Sequence, residues 1–485
     1  MDNFTNVAFD LLRKAESELR KKHELDKPII KARVVGGYVR DHILNLPNKD
    51  IDVVIEGPFG PQLAECFSTV AKTHLGDDLV GNPVIFERFG TAQVRIGDEQ
   101  IEFVSARSES YSENSRKPEV KLASLEEDML RRDFTINALS MKFNGEIEDV
   151  LGKGLVDLKN KILRTPLDPV QTFSDDPLRM LRAIRFAVKL DFQLEESLLP
   201  AMRQLKHRLE SSALSVERIN EELRKMLISN NPRRAIELLD KAEFLPVLFP
   251  ELEKCKGVSQ NKFHTEEVYT HILSVLEKTP ADLPTRLAAL FHDQGKPATK
   301  TIDYNVKTGD NEIHFYGHED ISAEICKTRM SALKFSNDEI AQVSRLVQMH
   351  MRPVFYSPEW SDGTVRRLAR DIQEDKDRLI DHVKADILSS AHPDIALTEE
   401  LEHRLEKAFS EPEKLGVILP INGEDIMEIF DLKPGPQIKF YKELVSDKVT
   451  DNEVEPTREA LLAFLISYRD SQPKAEKDSA QAGLV

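Results

Sequence analysis

Short runs in which apolar and polar residues alternate dominate the first third of the chain, and this period of two predicts β-strands. Such runs cover residues 31–35 and 50–56, on either side of a glycine pair and a helical turn. Residues 84–104 carry more of them, with apolar positions at Ile85, Phe86, Val94, Ile96, Ile101 and Phe103. The pattern therefore predicts a head that contains a mixed β-sheet and helices.

From Asp176 onward, apolar residues recur every three or four positions, which predicts amphipathic helices. The first helix is defined by Leu178, Leu181, Ile184 and Val188, and the same spacing continues, with interruptions, to the end. The predicted fold class is α+β: a mixed β-sheet head followed by an all-α neck, body and tail. We place these four parts at residues 1–165, 166–235, 236–400 and 401–485, and we expect the polar end after Ser471 to be disordered.

Composition narrows the class of protein. At 485 residues the chain is expected to form two to four structural units. Its 40% hydrophobic and 31% charged residues are typical of a globular protein. No run approaches the roughly 18 apolar residues of a membrane span, and the first residues lack the order of a secretory signal. Three widely separated cysteines argue against disulfides and predict a reducing cytoplasm.

The net charge of −17 argues against a surface coated in nucleic acid. From Asp176 to Ala235, however, 12 Lys and Arg residues outnumber 8 Asp and Glu residues. Any contact with RNA is therefore expected to be confined to part of the surface.

The first chemical pattern consists of Gly36, Gly37 and Arg40, followed by Asp50 and Asp52. Glycines after a strand allow backbone N–H groups to approach a phosphate closely, and an arginine can bind phosphate oxygens as a fork. Alternation along the strand puts both carboxylates on one face. Two carboxylates suit Mg²⁺, so the pattern predicts a site for a phosphate and a metal ion. The alternative is that each motif is structural, because a glycine pair alone is usually a turn and an Asp-X-Asp alone is usually part of a surface strand.

A second pattern, residues 128–139, embeds Arg132 and Asp133 in an apolar stretch, where polar side chains need partners. Either these two residues form an internal salt bridge, or Arg132 binds a phosphate and Asp133 a ribose hydroxyl.

The third pattern begins a helix after Pro177 and aligns Asp176 with Arg179, followed by Arg182 and Arg185. A solvated charged face is the alternative to a binding role for these residues.

Together the three patterns resemble the signature of the class II tRNA nucleotidyltransferase and bacterial poly(A) polymerase family: GGxxRD and DxD, then RRDFTxNAL, then EDPLRxxRxxRF. The resemblance covers about residues 30–225. Asn45 stands where a glycine is common, and Asp175 replaces the usual Glu. The resemblance implies a nucleotidyltransferase-type head that adds C, C and A to tRNA 3′ ends, with tRNA, CTP and ATP as its partners.

The resemblance also implies roles for residues. Asp50 and Asp52 would be catalytic and hold Mg²⁺. The residues implied to bind the nucleotide are Gly36, Gly37, Arg40, Arg132, Asp133, Asp176, Arg179, Arg182 and Arg185. Asp176 and Arg179 would read the base edge. A carboxylate accepts from the exocyclic amino group of C and A, whereas U and G place a carbonyl there. A polar segment, residues 105–120, is expected to be a mobile loop.

A second metal site is a separate hypothesis for the body. His264, His292, Asp293 and Asp386 resemble the H…HD…D pattern of the HD superfamily of metal-dependent phosphohydrolases, and His318 and His350 could add ligands. Imidazole with carboxylate suits Mn²⁺, Ni²⁺, Fe²⁺ or Zn²⁺. Gln294 departs from the apolar residue common after the HD pair. The alternative is a helical body that keeps its histidines for packing.

The leading functional hypothesis is thus full CCA addition. Poly(A) addition, CC-only or A-only addition, an HD-type phosphohydrolase with an inactive head, and a plain RNA-binding protein remain as alternatives. The sequence leaves open the oligomeric state and the role of the tail in binding tRNA.

Overall fold

The computed structural model describes residues 3–23, 31–86, 90–110, 119–210, 214–260, 266–306, 309–410, 419–451 and 453–471. The chain divides into two compact units, Met1–Pro250 and Glu251–Val485. Two predictions lie outside the described residues: the disordered end after Ser471 and the ligand role of His264. No described helix is both long and apolar enough to cross a membrane.

The first unit contains strands β1–β11 and helices α1–α11. The strands are Ala32–Val35, Ile51–Ile55, Val84–Phe86, Thr91–Ile96, Glu99–Ser105, Arg107–Ser110, Glu119–Leu122, Ser140–Met141, Ile147–Glu148, Ile162–Leu163 and Gln193–Leu194. The helices are Asn3–Lys22, Gly37–Ile43, Gly60–Leu75, Leu125–Leu130, Gly154–Asn160, Pro169–Asp175, Leu178–Lys189, Leu198–Leu205, Val216–Leu227, Pro232–Lys241 and Leu245–Leu248. Helix α1 was not among the predicted elements.

The predicted mixed sheet is present, and among the described residues it has seven strands in the order β3-β4-β5-β2-β1-β8-β9. Strands β2 and β5 run parallel, with Asp52 opposite Glu102, whereas β1 and β2 run antiparallel, with Val35 opposite Asp52. The remaining neighbours are antiparallel. This register places carboxylates of two adjacent strands on the same face of the sheet.

The two faces of the sheet are covered differently. On one face, Phe67 of α3 packs against Phe103 of β5 with ring centroids 5.3 Å apart. On the face that carries Asp52, a cluster of buried apolar residues packs next to the candidate site. Its members are Val35, Val54, Ala106, Leu125, Met129 and Ala138. The predicted alternation of Asp52 with apolar neighbours is confirmed, because Ile51 and Val53 are fully buried.

The predicted loop over residues 105–120 is partly wrong. Strands β6 and β7 pair antiparallel, with Arg107 opposite Leu122. The polar ends of this segment therefore satisfy their backbone groups in a two-stranded ladder. Residues 111–118 between the strands lie outside the described part of the chain.

The neck helices follow the predicted apolar spacing. Leu178, Leu181 and Ile184 of α7 are buried, and α7 packs against α9 and α10. Ser215 and Asn231 cap α9 and α10 by accepting from backbone N–H groups of the first turn. Phe186 of α7 meets Phe134 edge-on at 5.7 Å, which fastens this helix to the head.

The second unit is mostly helical, as predicted. Its helices α12–α24 are Pro250–Glu253, Val268–Lys278, Leu283–Phe291, Lys296–Thr299, His318–Ala332, Asn337–Met349, Met351–Val354, Asp362–Ile372, Lys376–Ile387, Ala396–Phe409, Gly423–Phe430, Pro436–Thr450 and Arg458–Ser471. The prediction of an all-α body is wrong in one place: β12 (Thr301–Asn305) and β13 (Asp310–His314) form an antiparallel hairpin. Alternation of Ile302 and Tyr304 with polar residues is the signal for it.

Helix α14 lies at the centre of the body, against α13, α16, α17 and α20. It is buried from Thr285 to Phe291, and its last residue is followed directly by His292 and Asp293. A separate apolar cluster, which includes Ile426, Val445 and Leu461, holds the three last helices together.

Candidate active site and candidate metal centre

The turn between β1 and α2 brings the backbone against the carboxylate strand. Gly36 has φ of +77°, and a Cβ there would lie 3.0 Å from Nη1 of Arg132 and 3.6 Å from Oδ2 of Asp52. A side chain here would be strained by the positive φ and would press against the Arg132 guanidinium. Gly37 begins α2 with no positive φ, so only the first glycine of the pair is required by the turn.

Three carboxylates gather at this edge of the sheet. Asp52 lies on β2, Asp50 is exposed immediately before that strand, and Glu102 is the register partner of Asp52 on β5. The pKa of Asp52 is raised to about 6, mainly by burial and in smaller part by Glu102 and Asp50, against the lowering effect of Arg132. A half-buried carboxylate beside two more is an oxygen donor set that a hard divalent cation fits.

Glu102 was not identified from the sequence. An acidic residue between Ile101 and Phe103 in a strand is the available signal, but a single acid in an alternating strand usually faces solvent. Only the parallel pairing of two strands about fifty residues apart shows that it faces Asp52.

Arg132 is held beside Asp52 by a buried acid. Asp128, fully buried, binds both Arg131 at 2.5 Å and Arg132 at 3.0 Å. The two guanidinium groups outweigh the effect of burial and lower the pKa of Asp128. Nη1 of Arg132 also donates to the Asn137 carbonyl oxygen at 3.4 Å. The side chain is thereby aimed across the turn at Gly36.

The pairing of Arg132 with Asp133, considered above as an alternative, is absent. Oδ2 of Asp133 accepts instead from Nε and Nη2 of Arg182, at 2.9 and 2.6 Å. Oδ1 accepts from the side-chain nitrogen of Asn137 and from the Phe134 amide, each at 2.9 Å. The polar residues of this apolar stretch are thus satisfied, and the contact joins the head to the neck helix.

Three of the predicted nucleotide-binding arginines surround one ring. The guanidinium carbons of Arg40, Arg182 and Arg185 lie 4.9, 5.4 and 4.3 Å from the centroid of Phe186. Arg40 is buried and also pairs with Asp41 at 2.7 Å. Arg185 pairs with Glu222 of α9 at 2.6 Å. These arginines therefore hold carboxylates, and their contact with a triphosphate stays a prediction.

The predicted base readers lie at the start of α7 but do not contact each other through their side chains. Oδ2 of Asp176 accepts from Arg218 of α9 at 2.9 Å, and Oδ1 accepts from the Leu178 amide at 3.1 Å. Arg179 donates to the carbonyl oxygen of Arg131 at 2.8 Å. Arg218, 42 positions away in the chain, was not identified from the sequence.

The second unit contains a buried cluster of histidines and aspartates at the end of α14. Two groups of ligand atoms lie close enough to share an ion: His271, His292 and Asp293, and Asp293, His318 and His350. Asp386 of α20 joins the first group, with Oδ1 3.0 Å from Nε2 of His271. His271 was not identified from the sequence, and the ligand role of His264 stays a prediction because that residue lies outside the described part of the chain. The position of His271 on the apolar face of α13 is the signal, but a single buried histidine there is commonly a packing residue.

Asp293 spans the two groups with its two oxygens. Oδ2 lies 3.2 Å from Nε2 of His292, and Oδ1 lies 3.3 Å from Nε2 of His318. Lys296 also approaches Oδ2, at 2.7 Å. Although burial alone would raise the pKa of Asp293, His292 and Lys296 hold it well below its usual range.

Three of the histidines are oriented identically. Nδ1 of His292, His318 and His350 donates to the carbonyl oxygen three residues earlier, at 2.8, 2.8 and 2.6 Å. This contact fixes the tautomer, so that Nε2 of each ring faces the cluster; a hydrogen bond of this kind orients histidines that ligate metals. Burial and the neighbouring His292 lower the pKa of His350 to about 3, so its imidazole is neutral. The donor set fits a transition metal.

A glycine allows this packing. A Cβ on Gly295 would lie 2.8 Å from the Ser322 amide nitrogen and closer still to the His318 carbonyl oxygen. The start of α16 can therefore approach the turn after Asp293 closely enough to deliver His318.

Matches to known protein families agree with the observed fold and with the interpretation of the head. Residues 32–164 match the Poly A polymerase head domain, residues 191–256 match the probable RNA and SrmB-binding site of polymerase A, and residues 317–465 match the putative domain 2 of tRNA nucleotidyltransferase. The sheet with its carboxylate edge thus defines a polymerase head of this class. The chain belongs to the family of tRNA nucleotidyltransferases and bacterial poly(A) polymerases, whose members are metal-dependent.

Individual relatives agree with this assignment. The chain is 28% identical over 456 residues to the A-adding tRNA nucleotidyltransferase of Deinococcus radiodurans, covering 91% of this chain and 96% of that protein. It is 36% identical over 241 residues to the mitochondrial CCA tRNA nucleotidyltransferase of Saccharomyces cerevisiae, covering 47% and 44%. The chain spans about half the length of the yeast relatives that it matches.

The fold has a counterpart among solved structures. The CCA-adding enzyme of Bacillus stearothermophilus in complex with CTP superposes with a TM-score of 0.64 at 21% identity, covering 99% of this chain and 100% of that one. At this identity the likeness establishes the fold.

Proposed function

We propose that this protein is a template-independent CCA-adding tRNA nucleotidyltransferase, which transfers CMP and AMP from CTP and ATP to the tRNA 3′ end and releases pyrophosphate. The observation that carries the proposal is the meeting of Asp50, Asp52 and Glu102 beside Arg132 at a glycine turn. The names of the relatives and the RNA-binding match over residues 191–256 support tRNA as the substrate.

Asp50, Asp52 and Glu102 would hold the divalent cation, which we propose to be Mg²⁺. When bound, such an ion favours the deprotonated 3′-hydroxyl and neutralises charge on the departing pyrophosphate. Arg132 offers a guanidinium next to that position for the triphosphate. The protein's own part is to hold the 3′-hydroxyl and the α-phosphate in line within a rigid frame.

Nucleotide choice is proposed to lie at Asp176 and Arg179. Asp176 holds a carboxylate at the start of α7, anchored by the Leu178 amide, and would accept from the amino group of C or A. Arg179 would donate to the adjacent ring nitrogen. Both can serve only when their present partners yield, because Asp176 is paired with Arg218.

The test uses tRNA that lacks its last three nucleotides, incubated with Mg²⁺ and CTP, ATP or both. Full CCA addition gives two residues with CTP and three with the mixture. CC-only, A-only and poly(A) activity each give a different length. Asp52→Ala is the matched control and should incorporate nothing; if it retains full incorporation, the proposed catalytic site is wrong.

A second candidate function concerns the body, where we propose that His271, His292, Asp293 and Asp386 bind a transition metal ion. The fixed tautomers of His292, His318 and His350 and the bridging position of Asp293 favour this. An HD-type phosphohydrolase activity is the chemistry that such a site would support. Metal analysis after EDTA treatment and re-addition, compared with the double variant His292→Ala/Asp293→Ala, tests the site, and release of phosphate from phosphoesters tests the activity.

We also propose a cytoplasmic location, supported by three widely separated cysteines, each of them free. Some relatives have mitochondrial forms by name, so fractionation of cells that carry a tagged chain is the deciding measurement.

A further inference from the structure

Phe186 of α7 lies among the arginines that are predicted to bind the triphosphate. The guanidinium carbons of Arg40, Arg182 and Arg185 lie 4.9, 5.4 and 4.3 Å from the centroid of its ring. Two of these arginines belong to α7 itself, whereas Arg40 belongs to α2 of the head. One ring therefore brings together cations from the head and from the neck helix.

Three guanidinium groups around one ring repel each other, and burial strengthens the repulsion because it excludes water. Burial lowers the pKa of Arg185, and Arg182 and Arg40 lower it further against the opposing effect of Glu222. Each guanidinium is paired with a carboxylate, and the partners are Asp41, Asp133 and Glu222. When a triphosphate takes the place of these carboxylates, something else must keep the three cations together.

The ring of Phe186 is suited to that task. The face of an aromatic ring attracts a guanidinium through the ring quadrupole and occupies none of its N–H donors. A carboxylate partner, by contrast, occupies those donors and must yield to a phosphate. Phe186 is buried, and the ring of Phe134 meets it edge-on at 5.7 Å, so its own position is fixed from the head side. The arginines can therefore exchange carboxylates for phosphate oxygens without leaving the ring.

We infer that Phe186 is a positioning residue for nucleotide binding, whose ring face holds Arg40, Arg182 and Arg185 toward one triphosphate. The inference rests on the proposed function and adds to it a residue that acts through the arginines. It also makes a demand that core packing does not make. A packing phenylalanine can be replaced by any ring of the same shape, whereas a positioning ring must also have an electron-rich face.

The experiment replaces Phe186 in the full chain with phenylalanines that carry increasing numbers of ring fluorine atoms. Fluorine withdraws electron density from the ring face and alters the shape little, so the attraction for cations weakens stepwise. Calorimetry without tRNA measures the Kd for CTP in the presence of Mg²⁺ and the Kd for CMP. We expect the Kd for CTP to rise about three- to tenfold along the series. The Kd for CMP should change much less, because CMP lacks the β- and γ-phosphates.

Two comparisons separate positioning from packing. Phe186→Leu keeps an apolar side chain and removes the ring, so we expect the KM for CTP to rise about tenfold with a smaller change in kcat. The same fluorinated series at Phe244, a fully buried phenylalanine of the same unit, is the matched control. It should leave the Kd for both nucleotides unchanged.

The outcomes distinguish this inference from the function on which it rests. A Kd for CTP that stays constant along the fluorinated series would overturn the role of Phe186. An equal rise of the Kd for CTP and for CMP would also overturn it, because loss of packing would then account for the effect. A wild-type chain that binds CTP but adds nothing to tRNA lacking its last three nucleotides would overturn the proposed function, while the Kd series would still decide the role of Phe186.

Discussion

Arg218 of α9 donates a hydrogen bond of 2.9 Å to Oδ2 of Asp176, which lies between α6 and α7. The pair occupies the carboxylate that is proposed to receive the nucleobase. Arg218 is about half exposed and Asp176 about a fifth exposed, so this is a surface ion pair, worth at most about 1 kcal/mol. Binding of a base at Asp176 must displace it.

The first prediction concerns Arg218→Ala. Because the variant frees Asp176 in advance, we expect the KM for CTP and ATP to fall about two- to fivefold, with kcat unchanged. Steady-state kinetics measure this with CTP on tRNA that lacks its last three nucleotides and with ATP on tRNA that lacks only the terminal adenosine. Arg224→Ala, a neighbouring arginine of α9 that instead binds Asn220, serves as the control. A rise in KM would show that Arg218 assists the base and does not compete with it.

We expect Asp176→Ala to change the selectivity among nucleotides more than the rate of phosphoryl transfer. Removing the carboxylate removes both the acceptor for the amino group of C and A and the repulsion of the carbonyl of U. We therefore expect the ratio of kcat/KM for CTP over UTP to fall at least tenfold, while single-turnover transfer from bound CTP changes less. Unchanged selectivity would remove Asp176 from the base-reading role.

Ionisation of Asp52 in the candidate active site changes the free energy of unfolding. Since burial raises its pKa to about 6, the folded state prefers the protonated carboxyl, and stability is lost as pH rises from about 4 through 6. In EDTA, Asp52→Asn should therefore match the wild type near pH 4. Above pH 6 it should be more stable by up to about 3 kcal/mol. Urea unfolding at the two pH values measures this difference.

Two further observations check that account of Asp52. Mg²⁺ should stabilise the wild type above pH 6 and leave Asp52→Asn unaffected, because the bound ion takes the place of the proton. The variant should be inactive at every pH. Equal stability of both proteins in EDTA at pH 7.5 would contradict a carboxylate whose pKa is raised by burial.

Features that depend on local sequence were predicted correctly, whereas features that depend on contacts between distant segments were missed. Alternation along β2 predicted the face of Asp52 correctly, because the period of a strand is a local property. Glu102 and Arg218 were missed, since each reaches the site through a contact between distant segments. His271 was missed for a related reason: the sequence shows a histidine on an apolar helix face, and only packing shows that it meets Asp386.

The last prediction is that Asp128 positions the Arg132 side chain. Asp128 is fully buried and binds Arg131 and Arg132 at once, and Arg132 in turn lies beside Asp52 at the Gly36 turn. Asp128→Asn keeps the shape but removes the charge that holds Arg132. We expect a loss of about 2–4 kcal/mol in the free energy of unfolding, because breaking a buried pair leaves a guanidinium uncompensated.

A purely structural role for Asp128 would lower the amount of folded protein and leave the kinetics of the remaining molecules unchanged. A positioning role predicts, for the folded fraction, a KM for nucleotide raised about tenfold and a smaller change in kcat, since Arg132 would contact the triphosphate in both the ground state and the transition state. Glu126→Gln, an exposed acid on the same helix, is the matched control and should change neither stability nor KM. Unaltered nucleotide KM in folded Asp128→Asn would show that Arg132 keeps its place without this carboxylate.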